Sequence, residues 1–516
     1  SAVNGTAGGT FDTSYTDVIS SASYNRVKTE LISLRNGARL VLGGTSNNGE
    51  QGYILHFDSK SSQKVAYAVQ FAGDGQIDFT NNTGAANARF HDGSATNSDV
   101  QTLEKVGIYV SNTVDISYGD NSYWSLSDGR TILASHNADA IGFKASGALS
   151  VNGSMNAKIE THSDNHRMSA YWNTIPDKSV SVDIASNNTA YSAAFRASSL
   201  SVEKDFTSEI ISSADNYVGR VRKTATLSGN SIGSYGIWLD NALKIDGVWN
   251  SEGTIVASTV GTSIGNVLAE MDKDDKGSVS GAANAQVNNN SISSIGIQAG
   301  DISLSGVGKF VCDEDGTWKW IDAGSISVAV RDAKLFTNVY SGDAGSSTMT
   351  GNTFNSIAIS GKSLTVNGAF EANLSASVSN IYVNNESWST VKKFTESWGS
   401  NTINHYGIRV TDGLTSHSNF GGTITLKFDN TASNWQSISL TDTTVTGIRA
   451  SSISIDSGVL RSDINITVNG ISNNLKDAWS TSYVTGIDAD TLSADAFTGS
   501  ISSKAEVNGY GYLINT

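Results

Sequence analysis

Short runs in which apolar and polar residues strictly alternate, grouped in threes and punctuated by glycine, return again and again along this 516-residue chain. The fullest copy spans residues 447–468. It runs Gly447-Ile448-Arg449-Ala450, then Ile453-Ser454-Ile455-Asp456, then Leu460 to Val468. A period of two marks a pleated strand with one buried face. Related copies begin at Gly142-Phe143-Lys144-Ala145, Ala194-Phe195-Arg196-Ala197, Gly236-Ile237-Trp238-Leu239, Gly296-Ile297-Gln298-Ala299, Ala358-Ile359-Ser360-Gly361, Gly407-Ile408-Arg409-Val410 and Gly486-Ile487-Asp488-Ala489. Looser ones precede them at Leu40-Val41-Leu42, Val69-Gln70-Phe71 and Gly107-Ile108-Tyr109-Val110. The period of roughly 35 to 60 residues, over about eleven copies, lies in the range of stacked-repeat architectures.

One such copy is too small to bury its own apolar face, so copies must stack. A closed barrel or a sandwich demands antiparallel hairpins at short, even spacing instead. The expected fold class is therefore all-β: a right-handed parallel β-helix (β-solenoid) of about eleven coils, rungs ~4.8 Å apart, with irregular connector loops. Each coil is expected to have three sides, with the glycines at the corners. Connectors at 160–190, 206–232, 250–292, 311–350 and 380–404 are expected to project on one side. Residues 1–28 lie outside the repeat and form a cap or an exchanged strand, and 29–516 form the solenoid. Phe11, Tyr15 and Tyr24 of the first segment are the candidates for self-association.

Composition agrees with an array of tight strands. The chain holds 51 Gly and 1 Pro, so its turns depend on Gly, Asn and Asp at positive φ. The net charge of −15 argues against nucleic acid or an anionic membrane as the main partner. No run approaches the ~18 apolar residues that span a bilayer as a helix. The single cysteine, Cys312, excludes an internal disulfide and reads as a buried thiol. The chain opens at Ser1 rather than methionine, which fits equally removal of a signal peptide or a sequence taken from that point, and its acidic, Ser/Thr/Asn-rich, cysteine-poor make-up fits secretion to a bacterial surface.

The string Gly-Ile-x-Ala, Leu-x-Val-x-Gly-x-Phe, Ile-x-Ala resembles the passenger repeats of bacterial autotransporters and related secreted β-helix adhesins. The resemblance covers about 460 of the 516 residues and does not extend to the membrane-embedded barrel of that family. It implies a β-helix fold and an adhesive or self-associating role.

Candidate chemistry is sparse. Gly261-Thr262-Ser263-Ile264-Gly265 matches the nucleophile-elbow string but reads as a turn, with no His/Asp pairing beside it. Asp272, Asp274 and Asp275 open a calcium-loop-like run, yet Lys276 occupies a ligand position. Asp313-Glu314-Asp315-Gly316 reads as a solvated acidic turn. His162 and His166 have metal-ligand spacing outside any helix that would align them. Outward positions after the Gly-Ile step are Tyr109, Lys144, Arg196, Trp238, Gln298, Ser360, Arg409, Arg449 and Asp488, with the last three as successive rungs of a charge ladder. Trp172, Trp388, Trp398, Trp435 and Trp479 are expected to pack beneath connectors. The expectation is an extracellular structural or adhesive protein, not an enzyme, that self-associates into a filament, sheath or layer or engages glycans. It has no cofactor, Ca2+ at the Asp272 run being the one candidate. The alternative is a β-helix enzyme acting on polysaccharide.

Overall fold

The computed structural model describes residues 189–222, 224–250, 255–268, 282–306, 309–321, 324–341, 344–387, 393–429, 442–469 and 481–506, with 512–515 and separate strands between residues 3 and 186. Among these residues every regular element is a strand, and nearly all pair in parallel. Successive strands do not pair with their chain neighbours. They pair with the equivalent strand of the next copy, which sorts them into ladders.

The first ladder holds the Gly-Ile strands. It runs through Asn137–Ala145, Thr189–Ala197, Ser231–Leu239, Ser291–Gln298, Thr353–Gly361 and Thr402–Val410 to the opening parts of Asp442–Asn469 and Thr481–Glu506. The second links Ala148–Val151, Ser199–Val202, Leu243–Asn250, Asp301–Ser305, Ser363–Asn367 and Gly413–Ser416 to the middle of the two long strands. The third joins Lys105–Ile116, Ser154–Asn165, Phe206–Arg222, Ile255–Leu268, Gly324–Ser341, Phe370–Ser387 and Phe420–Asp429 to their closing parts.

Where the expected connectors fall among the described residues they are largely strand, which corrects the three-sided picture. Third-ladder strands extend to 18 residues at Gly324–Ser341 and Phe370–Ser387. A fourth ladder, a five-stranded parallel sheet, follows them: Val182–Ser186, Thr224–Ser228, Ala282–Asn288, Ala344–Thr350 and Lys393–Gly399. Beyond Gly399 no further strand joins it among the described residues, and the third-ladder strand Phe420–Asp429 is 10 residues long. The repeat shortens accordingly, from 62 residues between Asn290 and Asn352 to 39 between Arg449 and Asp488.

Antiparallel pairing also occurs, where no hairpin was expected. Gly84–His91 pairs antiparallel with both Gly75–Asn81 and Ala148–Val151, so one hairpin arm enters the second ladder as an extra rung. Lys309–Cys312 and Trp318–Ile321 form a second hairpin inside one of the longest repeats, which places Cys312 on a strand. The early copy at Gly107-Ile108-Tyr109 belongs to the third ladder, because Tyr109 pairs with Lys158 rather than with Lys144.

In-register stacking turns each position into a column. Phe143, Phe195, Ile237, Ile297, Ile359, Ile408 and Ile448 follow one another inside the first ladder, all buried. The rings of Phe143 and Phe195 stack at 4.9 Å and 14°. Each such side chain contributes about 1.5–3 kcal/mol by leaving water. Opposite them stand Ile159, Ile210, Ile255, Val328, Leu374, Ile424 and Ile464 of the third ladder.

That opposing column explains the recurrent glycine, which does not make a corner. Gly142, Gly236, Gly296, Gly407, Gly447 and Gly486 all lie inside strands. A Cβ on Gly407 would fall 2.5 Å from Cγ2 of Ile424, on Gly447 2.7 Å from Ile464, and on Gly486 2.5 Å from Ile501. The glycine is where the first ladder comes closest to the β-branched column of the third.

The true corner, between the fourth and first ladders, has a different chemistry. Gly229, Asn289, Gly351 and Ser400 take positive φ of 66, 54, 69 and 55°, and each is followed by a buried asparagine. The side-chain Nδ2 of Asn230 donates to Oδ1 of Asn290, that of Asn290 to Asn352, and that of Asn352 to Asn401, each at 2.8 Å. The same Oδ1 atoms accept the backbone N–H of the rung before, at 3.0–3.1 Å. Asn290 and Asn352 also donate to the carbonyls of Leu227 and Val287, so the amides of these two middle rungs are fully used.

Two substitutions probe these devices. Asn352→Ala removes the donor to Asn401 Oδ1 and to the Val287 carbonyl and the acceptor for the backbone and side-chain N–H of Asn290. A loss of about 2–4 kcal/mol is expected, read as early hydrogen-exchange opening around residues 287–291 and 399–403. Unchanged exchange there would show that the ladder is incidental. Gly486→Ala is expected to destabilise by about 1–3 kcal/mol. In an Ile501→Ala background, which removes the nearest atoms, the same change should cost far less. Additive effects in that double-mutant cycle would refute the close approach.

Candidate functional surface

The outward column of the first ladder is the surface that the sequence singled out. The register runs Lys144, Arg196, Trp238, Gln298, Ser360, Arg409, Arg449, Asp488, as expected except for Tyr109. Its charged members are engaged with neighbours. Arg449 Nη1 lies 2.8 Å from Oδ2 of Asp488. The Arg409 guanidinium lies 5.2 Å from the ring centre of Tyr406. Arg196 covers Trp238 at 4.5 Å and reaches Asp240 Oδ1 at 2.6 Å.

Tyr235 stacks on Trp238 as well, at 4.3 Å and 23°. Tyr191 closes the cluster at 5.9 Å from Trp238. The indole's π surface is thus already engaged by a guanidinium and a phenol ring. Burial pushes the Tyr235 hydroxyl up to about 12, helped by the nearby Tyr191 phenol. This cluster therefore works as outer packing over Ala193, Ile295 and Ile357. The side chains of Trp172, Trp388, Trp398, Trp435 and Trp479 lie outside the described residues.

The other candidates separate cleanly. Residues 261–265 lie within the strand Ile255–Leu268, and 262–264 pair with both neighbouring rungs, so they form neither a turn nor an elbow. A nucleophile elbow needs a sharp strand-to-helix turn, and a strand interior cannot supply one. Asp313 is the turn residue of its hairpin, with Oδ1 accepting from the backbone N–H groups of Asp315 and Thr317 at 3.2 and 2.8 Å. Asp272, Asp274 and Asp275, like Phe11, Tyr15 and Tyr24, lie outside the described residues, as does most of 1–28. Among the described residues no group of His, Cys, Asp and Glu is arranged to hold a metal ion. His162 is described and His166 is not; both ring nitrogens of His162 are bonded, to Ser213 Oγ and to Glu160 Oε1.

Sequence reasoning overlooked a buried ionisable pair of sites inside the first ladder. Its polar inner column reads Ser192, Ser234, Ser294, Ser356, His405. Ser192 and Ser234 bond across to Thr161 and Ser212 of the third ladder. His405 is fully buried, with Nδ1 3.3 Å from the carbonyl of Ser356. Burial pulls its imidazole down to about 4, against smaller opposing pulls from backbone carbonyls. Asp139, at the outer side of the same ladder, is pushed up to about 6 by burial, against the Tyr191 backbone and Lys144. A lone histidine in a serine column was the signal available in the sequence.

Protein-family models, curated proteins and solved structures were all compared with the chain, and none matches. The class that the fold defines is thus an all-β, parallel, in-register repeat protein. Among the described residues no helix is long and apolar enough to cross a membrane.

The two shifted groups make acid sensitivity testable. His405 binds its proton more weakly folded than unfolded, so its contribution is full above pH 6.5 and is lost as pH falls through about 4, a change of about 3 kcal/mol. Asp139 acts oppositely: its contribution is full below 3.8 and is lost as pH rises through about 6. His405→Ser, which restores the column's own residue, should therefore flatten the acid decline of the melting temperature between pH 7 and 4, and Asp139→Asn should steepen it. Superimposable pH profiles for His405→Ser and the parent would exclude the buried histidine as the cause.

Proposed function

We propose that the chain winds as a right-handed parallel β-helix of about eleven coils and serves as a rigid, acidic structural or adhesive rod at a bacterial cell surface, where it self-associates into a filament, sheath or layer. The observation that carries this reading is the shared register. The chain visits the first, second and third ladders in the same order on every repeat, and each ladder keeps one interior column across many rungs. Right-handed crossovers are the rule for parallel strands.

Self-association has its own support. Thr481–Glu506 is paired along its length with Asp442–Asn469. On its other edge, among the described residues, only 481–484 carry a partner, Tyr512–Asn515. Leu492, Phe497 and Ile501 of this strand are exposed at 49, 44 and 50% among the described residues. Such an edge accepts a further parallel rung by strand addition. Residues 1–28 of a second copy, with Phe11, Tyr15 and Tyr24, are the segment proposed to supply it.

Negative-stain electron microscopy and sedimentation of the full chain test this. Filaments or layers are expected for the parent, and single rods after deletion of residues 1–28. Monodisperse parent rods at every concentration would rule out self-association, and a deletion that assembles as well as the parent would rule out the exchanged segment.

A further inference from the structure

Glu160 and His162 stand two residues apart on Ser154–Asn165 and so project from the same face of the third ladder. Ser213, on the next rung, is the register partner of His162. The three side chains form one chain of hydrogen bonds. Ser213 Oγ lies 2.5 Å from His162 Nδ1, and Glu160 Oε1 lies 2.9 Å from His162 Nε2. A carboxylate only accepts, so Nε2 carries the proton and Nδ1 is left to accept from the serine hydroxyl. From this arrangement of nucleophile, base and orienting acid we infer that the outer face of the third ladder is an acyl-transfer site for short O-acyl esters, with Ser213 and His162 as catalytic residues and Glu160 as a positioning residue.

The surroundings suit that chemistry. The imidazole and the carboxylate are 32 and 51% exposed, so substrate reaches them from solvent. Ile211 and Val256 are register partners beside Ser213 and offer a small apolar strip, enough for a short acyl chain. Ser258 and the exposed Arg331 continue the column of Ser213. The ladder also loses its regularity at this place. Its register shifts between Ala214 and Asp215, and the next pairing runs from Ser258–Arg331 directly to Thr262–Leu335, skipping 259–261. Irregular register re-aims side chains and releases backbone groups from the ladder. The proposed donors for an oxyanion lie on this irregular stretch.

In the acylation step, Ser213 Oγ bonds to the ester carbonyl carbon while its proton passes to His162 Nδ1. The ester C–O bond then breaks, and the imidazolium returns the proton to the departing alkoxide, releasing the alcohol. Water next attacks acyl-Ser213 with His162 as base. The C–Oγ bond breaks, Ser213 regains its proton and the carboxylic acid leaves. No redox partner is required.

The full chain is to be treated with a fluorophosphonate probe and assayed with 4-nitrophenyl acetate. The probe should map by mass spectrometry to Ser213, Ser213→Ala should abolish labelling and lower turnover about 10²-fold, and Glu160→Gln should lower kcat about tenfold with KM unchanged. No label on the parent, a label at another residue, or equal turnover in Ser213→Ala would overturn the site. An unchanged kcat in Glu160→Gln would remove the role of the carboxylate. Mapping on the parent needs no variant, so it decides the matter even if Ser213→Ala folds poorly.

Discussion

Parallel pairing in register gives every side chain its own equivalent as its neighbour along the stack, and most of the molecule follows from that constraint. Apolar residues satisfy it by contact, so Leu, Ile and Phe fill the interior columns. An asparagine satisfies it because one amide both donates and accepts, and Asn230 to Asn401 form a buried chain on that principle. A carboxylate or an ammonium group cannot bond to its own copy. Charged columns gain where the sign alternates, as at Lys158 over Glu209 and Arg449 over Asp488. Where like charges follow one another, as at Lys144 and Arg196 or Arg409 and Arg449, the arginines Arg196 and Arg409 lie against the rings of Trp238 and Tyr406.

The inner serine column shows what happens when two facing columns change out of step. Ser192 and Ser234 have hydroxyl partners because Thr161 and Ser212 face them. The facing column then continues as Ala257, Val330 and Ala376. Ser294 Oγ and Ser356 Oγ lie buried without a hydrogen-bond partner among the described residues, and so does His405 Nε2. An unsatisfied buried polar atom costs about 1–3 kcal/mol. The middle of the stack thus carries a local burden of polar atoms that the Leu- and Ile-filled columns around it have to offset.

The columns were legible in the sequence because Gly-Ile-x-Ala and Leu-x-Val place strong apolar contrast at period two. The fourth ladder was not, since its inward residues include Ala283, Ala285, Gly345 and Ser347, whose contrast with outward Asn284, Thr348 and Ser346 is slight. Glycine was legible as a fixed position but not for its reason: its proximity to Ile255 or Ile424, far away in sequence, cannot be seen from local pattern. The asparagine corner did leave a trace, an αL-tolerant residue followed by Asn and then, two residues on, Ile or Phe. Tyr109 was misplaced because first- and third-ladder strands share one apolar rhythm. Ser213 lies 51 residues from His162, and no spacing rule connects them until the register is known.

Regular ladders also limit where chemistry can arise. In an unbroken parallel pairing the backbone donors are consumed by the next rung, and outward side chains tend to be tied to their column neighbours, as Arg196, Trp238 and Tyr235 are. Backbone groups become available for other work only where register slips. The slips recorded between Ala214 and Asp215, and between Val330 and Leu335, fall on rungs of the third ladder that are separated by Ile255–Leu268. The first of them lies directly beyond Ser213, where a serine, a histidine and a glutamate from two rungs are joined in line. A fold that is nearly uniform along its length thus makes its irregularities informative, because they mark where the chain departs from the pairing that holds it together.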